Sequence, residues 1–239
     1  MNNDEKILKE YIDLTKRNTC KIDFNLSDVS ILDNKIGGKP YLPVGETYPV
    51  DGDGNKMGLF LQVNLSDVSL DTFPSKGILE IFVSTNEKIF EYETDGNIVI
   101  KIYDSELEYQ EDVEYIPLSF LGGTYKLTTQ KVEVVRSLDD KGAMILKDLM
   151  KKYDSNQYIS YYSDKIDELA YVNSYIGGYP NIGVHDANSD VGNDDECLFF
   201  INTENFVDMG AIFAMYMTIK KEDLKNGNFD YAEFNISYD

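Results

Sequence analysis

Ile36-Gly37-Gly38-Lys39-Pro40 returns 140 residues later as Ile176-Gly177-Gly178-Tyr179-Pro180, and this recurrence decides how the chain is read. Behind the first copy come 18 residues rich in Gly, Pro and acid, then the apolar run Leu59-Phe60-Leu61-Gln62-Val63-Asn64. Behind the second come 17 residues of the same character, then Leu198-Phe199-Phe200-Ile201-Asn202. A further strand-like segment follows each, opened by Gly77 and by Gly210. Three landmarks in the same order, in two copies only, exclude a solenoid and predict a duplicated α+β unit. Each Gly-Gly-x-Pro reads as a tight turn: Gly permits positive φ, Pro fixes its own φ, and the residue before Pro is pushed extended.

Outward from these turns, residues 4–17 show helical spacing with Asn2 or Asn3 as cap, and Ile22, Phe24 and Leu26 alternate as in a strand. Residues 41–58 read as a loop. Strands are expected at 59–64, about 78–84, 88–93 and 97–103, with a hairpin at Asp95-Gly96-Asn97, and a pair at 113–118 and 124–136. Asp139 and Asp140 cap one helix carrying Met144, Ile145, Leu149, Met150 and Tyr153, and Ser163 caps a shorter one carrying Ile166, Leu169 and Ala170. The expected fold is a single α+β domain of two related halves, mainly antiparallel sheet with a few helices. Its N-terminal half covers about 20–136, the helical connection about 137–173 and the C-terminal half about 174–239.

The 239 residues carry 43 Asp and Glu against 22 Lys and Arg, a formal net charge of −21. So acidic a surface repels phosphate backbones and anionic lipid, which argues against nucleic acid and membrane, and it favours a basic protein partner or cations. Cys20 and Cys197 are too few for a disulfide framework and read as buried, inert thiols. The first residues lack a signal-peptide pattern and no apolar run reaches transmembrane length, so the expected location is the cytoplasm.

Asn34-Lys35-Ile36-Gly37-Gly38-Lys39-Pro40-Tyr41-Leu42-Pro43-Val44-Gly45, Tyr48-Pro49 and Leu61-Gln62-Val63-Asn64 together resemble the N-terminal signature of the YwqG-like family of bacterial proteins. Ile176 to Pro180, Leu198 to Ile201 and the ending Ile219-Lys220-Lys221-Glu222-Asp223-Leu224 with Asn228-Phe229-Asp230 resemble its C-terminal signature. The resemblance spans about residues 20–239. It implies a duplicated α+β fold and no activity, the family being one of unknown function; members encoded near secreted-toxin clusters imply an immunity or other protein-binding role. Tyr48 stands where the family has Trp, Ser174 where it has His, Val184 where it has Gln, and Met209 precedes Gly210 where it has Asp. A family site built on those polar positions is depleted here, which argues against an enzyme.

Catalytic constellations are thin. His185 is the one histidine, no Gly-x-Ser-x-Gly elbow exists, and Gly122-Gly123 lacks the spacing of a phosphate-binding loop. Oxygen donors alternate in the two loops that follow the Gly-Gly turns: Asp51, Asp53 and Asn55 in the first, Asp186, Asn188 and Asp190 in the second. These are the candidate ligands for Ca2+, the one cofactor the sequence admits. Both loops miss the EF-hand template, with Lys56 or Val191 in place of Gly and Gln62 or Cys197 in place of Glu, and Asx turns account for the same residues. Of the 18 tyrosines, a cluster runs through Tyr158, Tyr161, Tyr162, Tyr171, Tyr175 and Tyr179. Tyr161, Tyr162, Tyr175 and Tyr179 are taken as candidate contacts, since Tyr offers large area with few rotors. The leading expectation is a non-catalytic, immunity-type protein that holds a basic partner. A small-ligand or divalent-cation-binding protein, and a hydrolase or transferase working through carboxylates, are the alternatives.

Overall fold

Both Gly-Gly pairs take the backbone that their pattern demands: φ is +74° and +81° at Gly37 and Gly38, and +72° and +86° at Gly177 and Gly178. The computed structural model describes residues 2–85, 97–180, 195–204, 206 and 209–238. Among them the elements run α1 (Asn3–Thr15), β1 (Arg17–Leu26), β2 (Lys35–Ile36), β3 (Gly58–Asn64), α2 (Leu65–Val68), β4 (Ile78–Val83) and β5 (Ile98–Tyr103). They continue with β6 (Tyr125–Val134), α3 (Asp140–Lys152), α4 (Ser160–Ala170), β7 (Tyr175–Ile176), β8 (Asp195–Asn202), β9 (Ile212–Lys220), α5 (Lys221–Asn226) and β10 (Glu233–Tyr238). The fold is α+β, an antiparallel sheet with helices.

The strands form one sheet in the order β10-β9-β8-β7-β1-β6-β2-β3-β4-β5. At its centre β1 and β6 pair over their whole length, from Arg17 opposite Val134 to Leu26 opposite Tyr125. The free edge of β1 then takes β7, with Cys20 opposite Ile176, while the free edge of β6 takes β2, with Tyr125 opposite Ile36. Ile22 N donates to Ser174 O at 2.8 Å, and Leu127 N to Asn34 O at 2.8 Å. Each Gly-Gly turn thus starts from a two-residue strand held by one of the two central strands.

The sheet is strongly curled. The rings of Phe60 on β3 and Phe199 on β8 lie 5.5 Å apart, although four strands separate them and a flat sheet would hold them roughly 24 Å apart. The inner face closes on a buried core in which Ile36, Leu61, Val63 and Ile81 meet Ile176, Leu198, Ile201 and Met217. Register shifts between Leu59 and Leu61 on β3 and between Cys197 and Phe199 on β8 supply the bend. On the outer face, α1, α3 and α4 pack through Ile7, Tyr11, Leu146, Leu149, Tyr162 and Ile166. Helix α1 opens with a full capping box: Glu5 N donates to Asn2 Oδ1 at 2.8 Å and Asn2 N to Glu5 Oε2 at 2.9 Å.

Two expectations change, and a third is not reached by the described residues. Residues 113–118 form no strand, since Pro117 cannot donate to a ladder; Val113 and Leu118 instead bury as part of a covering loop. Helix α4 begins at Ser160 rather than Ser163, whose hydroxyl donates to Ser160 O at 2.9 Å inside the helix. The expected strand at 88–93 and the start of the Asp95-Gly96-Asn97 hairpin lie outside the described residues, and β4 pairs directly with β5.

Thr19 locks the second turn, its Oγ1 donating to Ile176 O at 3.1 Å and Gly177 O at 2.8 Å. A Cβ at Gly178 would lie 2.9 Å from that oxygen, whereas one at Gly227, also at positive φ, would meet nothing within 4 Å. Gly178→Ala therefore combines backbone strain with a clash and is expected to cost about 2–3 kcal/mol in urea unfolding, against about 1 kcal/mol for Gly227→Ala. Equal losses from the two variants would contradict this account of the turn.

Candidate functional site

Residues opposite one another on paired strands share a face, and five polar ones line up across the N-terminal half of the sheet. They are Lys126 on β6, Lys35 on β2, Gln62 on β3, Glu80 on β4 and Lys101 on β5. The outer lysines are exposed, while Lys35, Gln62 and Glu80 are 0–1% exposed. Polar groups so buried need partners. Lys35 Nζ donates to Ser30 O at 2.9 Å and Ile31 O at 2.8 Å. Gln62 Nε2 donates to Ile31 O at 2.6 Å and Asp33 O at 3.0 Å. Tyr41 N, delivered by the first Gly-Gly-x-Pro turn, donates to Glu80 Oε1 at 2.7 Å and Gln62 Oε1 at 3.0 Å.

Tyr41, Leu42 and Val113 cover this row together with its strand neighbours Ile78 and Tyr103, and Tyr41 Oη fastens the roof by donating to Leu107 O at 2.7 Å and Asp104 O at 2.9 Å. Burial pushes the Glu80 carboxyl up to about 8 and the Lys35 ammonium down to about 8, each held back in part by the other's charge. The corresponding row of the C-terminal half is Lys21, Tyr175, Phe200, Tyr216 and Asn235. Its centre is an aromatic stack, with Tyr175 and Phe200 5.1 Å apart at 6° and Phe200 and Tyr216 6.0 Å apart at 25°.

The second turn carries a different device. The chain has two arginines, Arg17 and Arg136, and both guanidinium carbons stand 5.1 Å from the ring centre of Tyr179. Arg17 pairs with buried Glu196, whose Oε1 accepts from Gly178 N at 2.7 Å; Arg136 grips Asp139 with Nε and Nη2 at 2.7–2.9 Å. Tyr179 Oη donates to Thr15 O at 2.9 Å, and burial lowers the Arg17 pKa. An adjoining cavity lined by Thr19, Val134, Val172 and Tyr175 holds about 10 Å³, room for about one water. With its charges committed to partners, the cluster clamps the turn and offers little to a ligand.

The candidate contact tyrosines separate. Tyr162 is buried, donating to Asp4 Oδ1 at 2.8 Å; Tyr175 is buried in the stack; Tyr179 is half-buried between the arginines. Burial takes Tyr162 and Tyr175 out of any docking surface, which corrects their assignment, while Tyr179 stays partly exposed. Tyr161 is 58% exposed. Along α4 it begins a stripe of Tyr161, Asp164 and Glu168 on one face, which Tyr171, the residue that caps the helix, continues at helical spacing over about 15 Å. Tyr171 is 64% exposed, and Tyr158, just ahead of the helix, 82%. Beside the stripe, burial and the Asp164 charge raise the Asp167 pKa. That spacing stands in the sequence; the helix start at Ser160 is what brings Tyr161 onto the stripe.

In the first acidic loop Asp51 is buried and consumed internally. Its Oδ1 accepts from Asn55 N at 2.8 Å and Asp53 N at 3.1 Å and its Oδ2 from Ser84 Oγ at 3.0 Å, bonds that hold its pKa down. Asp53 and Asn55 are exposed members of this Asx turn. Asp186, Asn188 and Asp190, with His185, lie outside the described residues. Among the described residues no group of three His, Cys, Asp or Glu side chains is placed to hold a metal ion. Cys20 and Cys197 are buried, and burial raises both thiol pKa values, that of Cys20 to about 11. No helix among the described residues is long and apolar enough to cross a membrane.

The model of a domain of unknown function, DUF1963, matches residues 34–237, a span that contains both Gly-Gly turns, the polar row and α4. No curated protein matches the chain.

The polar row makes stability depend on pH in a definite direction. Glu80 keeps its proton to about pH 8 when folded but ionises near 4.5 when unfolded. The folded state therefore binds more protons across that window, and stability falls as pH rises through it, by up to about 1.4 kcal/mol per unit. Lys35 acts above it, adding stability as pH rises from about 8 towards 10.5. Urea unfolding between pH 5 and 8 is expected to show Glu80→Gln gaining on the unsubstituted protein as pH rises; parallel profiles would contradict the assignment.

Proposed function

We propose a function for this chain, which belongs to the DUF1963 family: it is a cytoplasmic, non-catalytic binding protein that holds a basic protein partner, as an immunity protein does. The observation that carries this reading is the outer stripe of α4, where Asp164 and Glu168 stand between exposed Tyr161 and Tyr171. Tyrosine rings present wide, stiff contact area, over which the stem of a Lys or the plane of an Arg can lie, and carboxylates between them take the cation. The net charge of −21 extends the same preference, steering a basic partner in and rejecting acidic ones. The non-catalytic part is supported by Arg17, Arg136, Glu196, Asp139 and Asp51, whose charges are taken up by internal partners.

We also read the chain as YwqG-like, on the two Gly-Gly turns and the segments that follow them, a reading compatible with the DUF1963 match. We read the two halves as related copies, each built outward from a Gly-Gly turn. The order outward from the central pair supports this, since β7 through β10 on one side repeat the course of β2 through β5 on the other. So do the paired bonds from Ser174 and Asn34 and the bulges on β3 and β8.

Tagged protein and a variant carrying Tyr161→Ser, Asp164→Asn, Glu168→Gln and Tyr171→Ser test the reading by capture from the native cell lysate at low salt and elution at high salt. One stoichiometric basic protein is expected on the unsubstituted chain and at least about tenfold less on the variant, a difference of ~1.4 kcal/mol, with thermal unfolding unchanged. Equal capture by both would remove α4 as the surface, and no basic protein on either would remove the function.

A further inference from the structure

The polar row leaves two buried atoms without a hydrogen-bond partner in the protein, Glu80 Oε2 and Tyr103 Oη. They belong to residues on one face of two paired strands. Tyr103 stands opposite Ile78 and Lys101 opposite Glu80, so Tyr103 and Glu80 are diagonal on the same face of adjacent strands. Glu80 is 0% and Tyr103 7% exposed, and both lie beneath the roof that Tyr41 fastens. The Glu80 carboxyl is pinned by the 2.7 Å bond from Tyr41 N to its Oε1, which leaves Oε2 for another partner. Burying one acceptor and one hydroxyl unsatisfied is a cost that native folds rarely leave standing. Nor does the fold need polar groups there, since the matching row of the other half is closed by the rings of Tyr175, Phe200 and Tyr216.

We propose that a single internal water molecule is bound between Glu80 Oε2 and Tyr103 Oη as a constitutive part of the row. Water suits the pair because it donates and accepts at once: its O–H satisfies the carboxyl oxygen and its lone pair takes the phenol proton, or the reverse when Glu80 is protonated. Lys35 stands in the same row with two of its three N–H bonds committed to Ser30 O and Ile31 O. Buried waters hold about three bonds, and the remaining Lys35 N–H has the right chemistry for the third.

A high-resolution crystal structure of the full chain tests this. A water-sized peak within about 3.2 Å of both atoms is expected, and its loss in Tyr103→Phe. A direct Glu80–Tyr103 hydrogen bond with no peak between them overturns the proposal, and so does density larger than water, which would make the row a small-ligand site. If crystals fail, relaxation dispersion of water protons is expected to count one fewer long-lived water in Tyr103→Phe. An equal count overturns the proposal.

Discussion

The antiparallel pairing of β1 with β6 is the interaction on which the other features depend. It runs ten residues, from Arg17 opposite Val134 to Leu26 opposite Tyr125, and lies at the middle of the sheet. Its consequence is an exchange. Strand β1 precedes the first Gly-Gly turn yet supports the second through β7, while β6, far along the chain from the first turn, supports that turn through β2. That is why Arg17 and Thr19, from the start of the chain, stand against Gly178 and Tyr179. Separating the halves would leave each turn without the strand that carries it.

The same backbone turn serves two environments. At the first, Tyr41 N reaches down into buried polar side chains and its ring forms their roof. At the second, Tyr179 stays at the rim between two arginines, and the row beneath is aromatic. A scaffold indifferent to this choice leaves function to be sought in what differs between the halves and in the helices that join them. Those helices bury Tyr162 and Ile166 inward and turn Tyr161, Asp164, Glu168 and Tyr171 outward, so packing on one side makes the stripe on the other.

Much of the fold is legible before any coordinates. The glycine pairs announce positive φ, the apolar runs at 59–64 and 198–202 announce buried strands, and Asn2 or Asn3 announces the first cap. The polar row is not legible. Lys35, Gln62 and Glu80 alternate with apolar neighbours as surface residues do, and only the long-range register and the roof from residues 41–42 and 103–113 bury them. The exposed tyrosines are half legible: composition says they exist, but sorting Tyr161 from Tyr162 needs α4 to begin at Ser160, since a start near Ser163 leaves both outside the helix. The arginine clamp has a visible signal in retrospect, two arginines in so acidic a chain, yet nothing local tells that residues 17, 136 and 179 meet.

The central structural claim is that the exchanged β1–β6 pair makes the two halves one cooperative unit. Native-state hydrogen exchange, followed for backbone amides of β3 and β4 in one half and β8 and β9 in the other, addresses it most directly. The account predicts that the most protected amides of both halves open with the same free energy and respond alike to denaturant. Two distinct opening energies, with one half exchanging while the other stays protected, would contradict it.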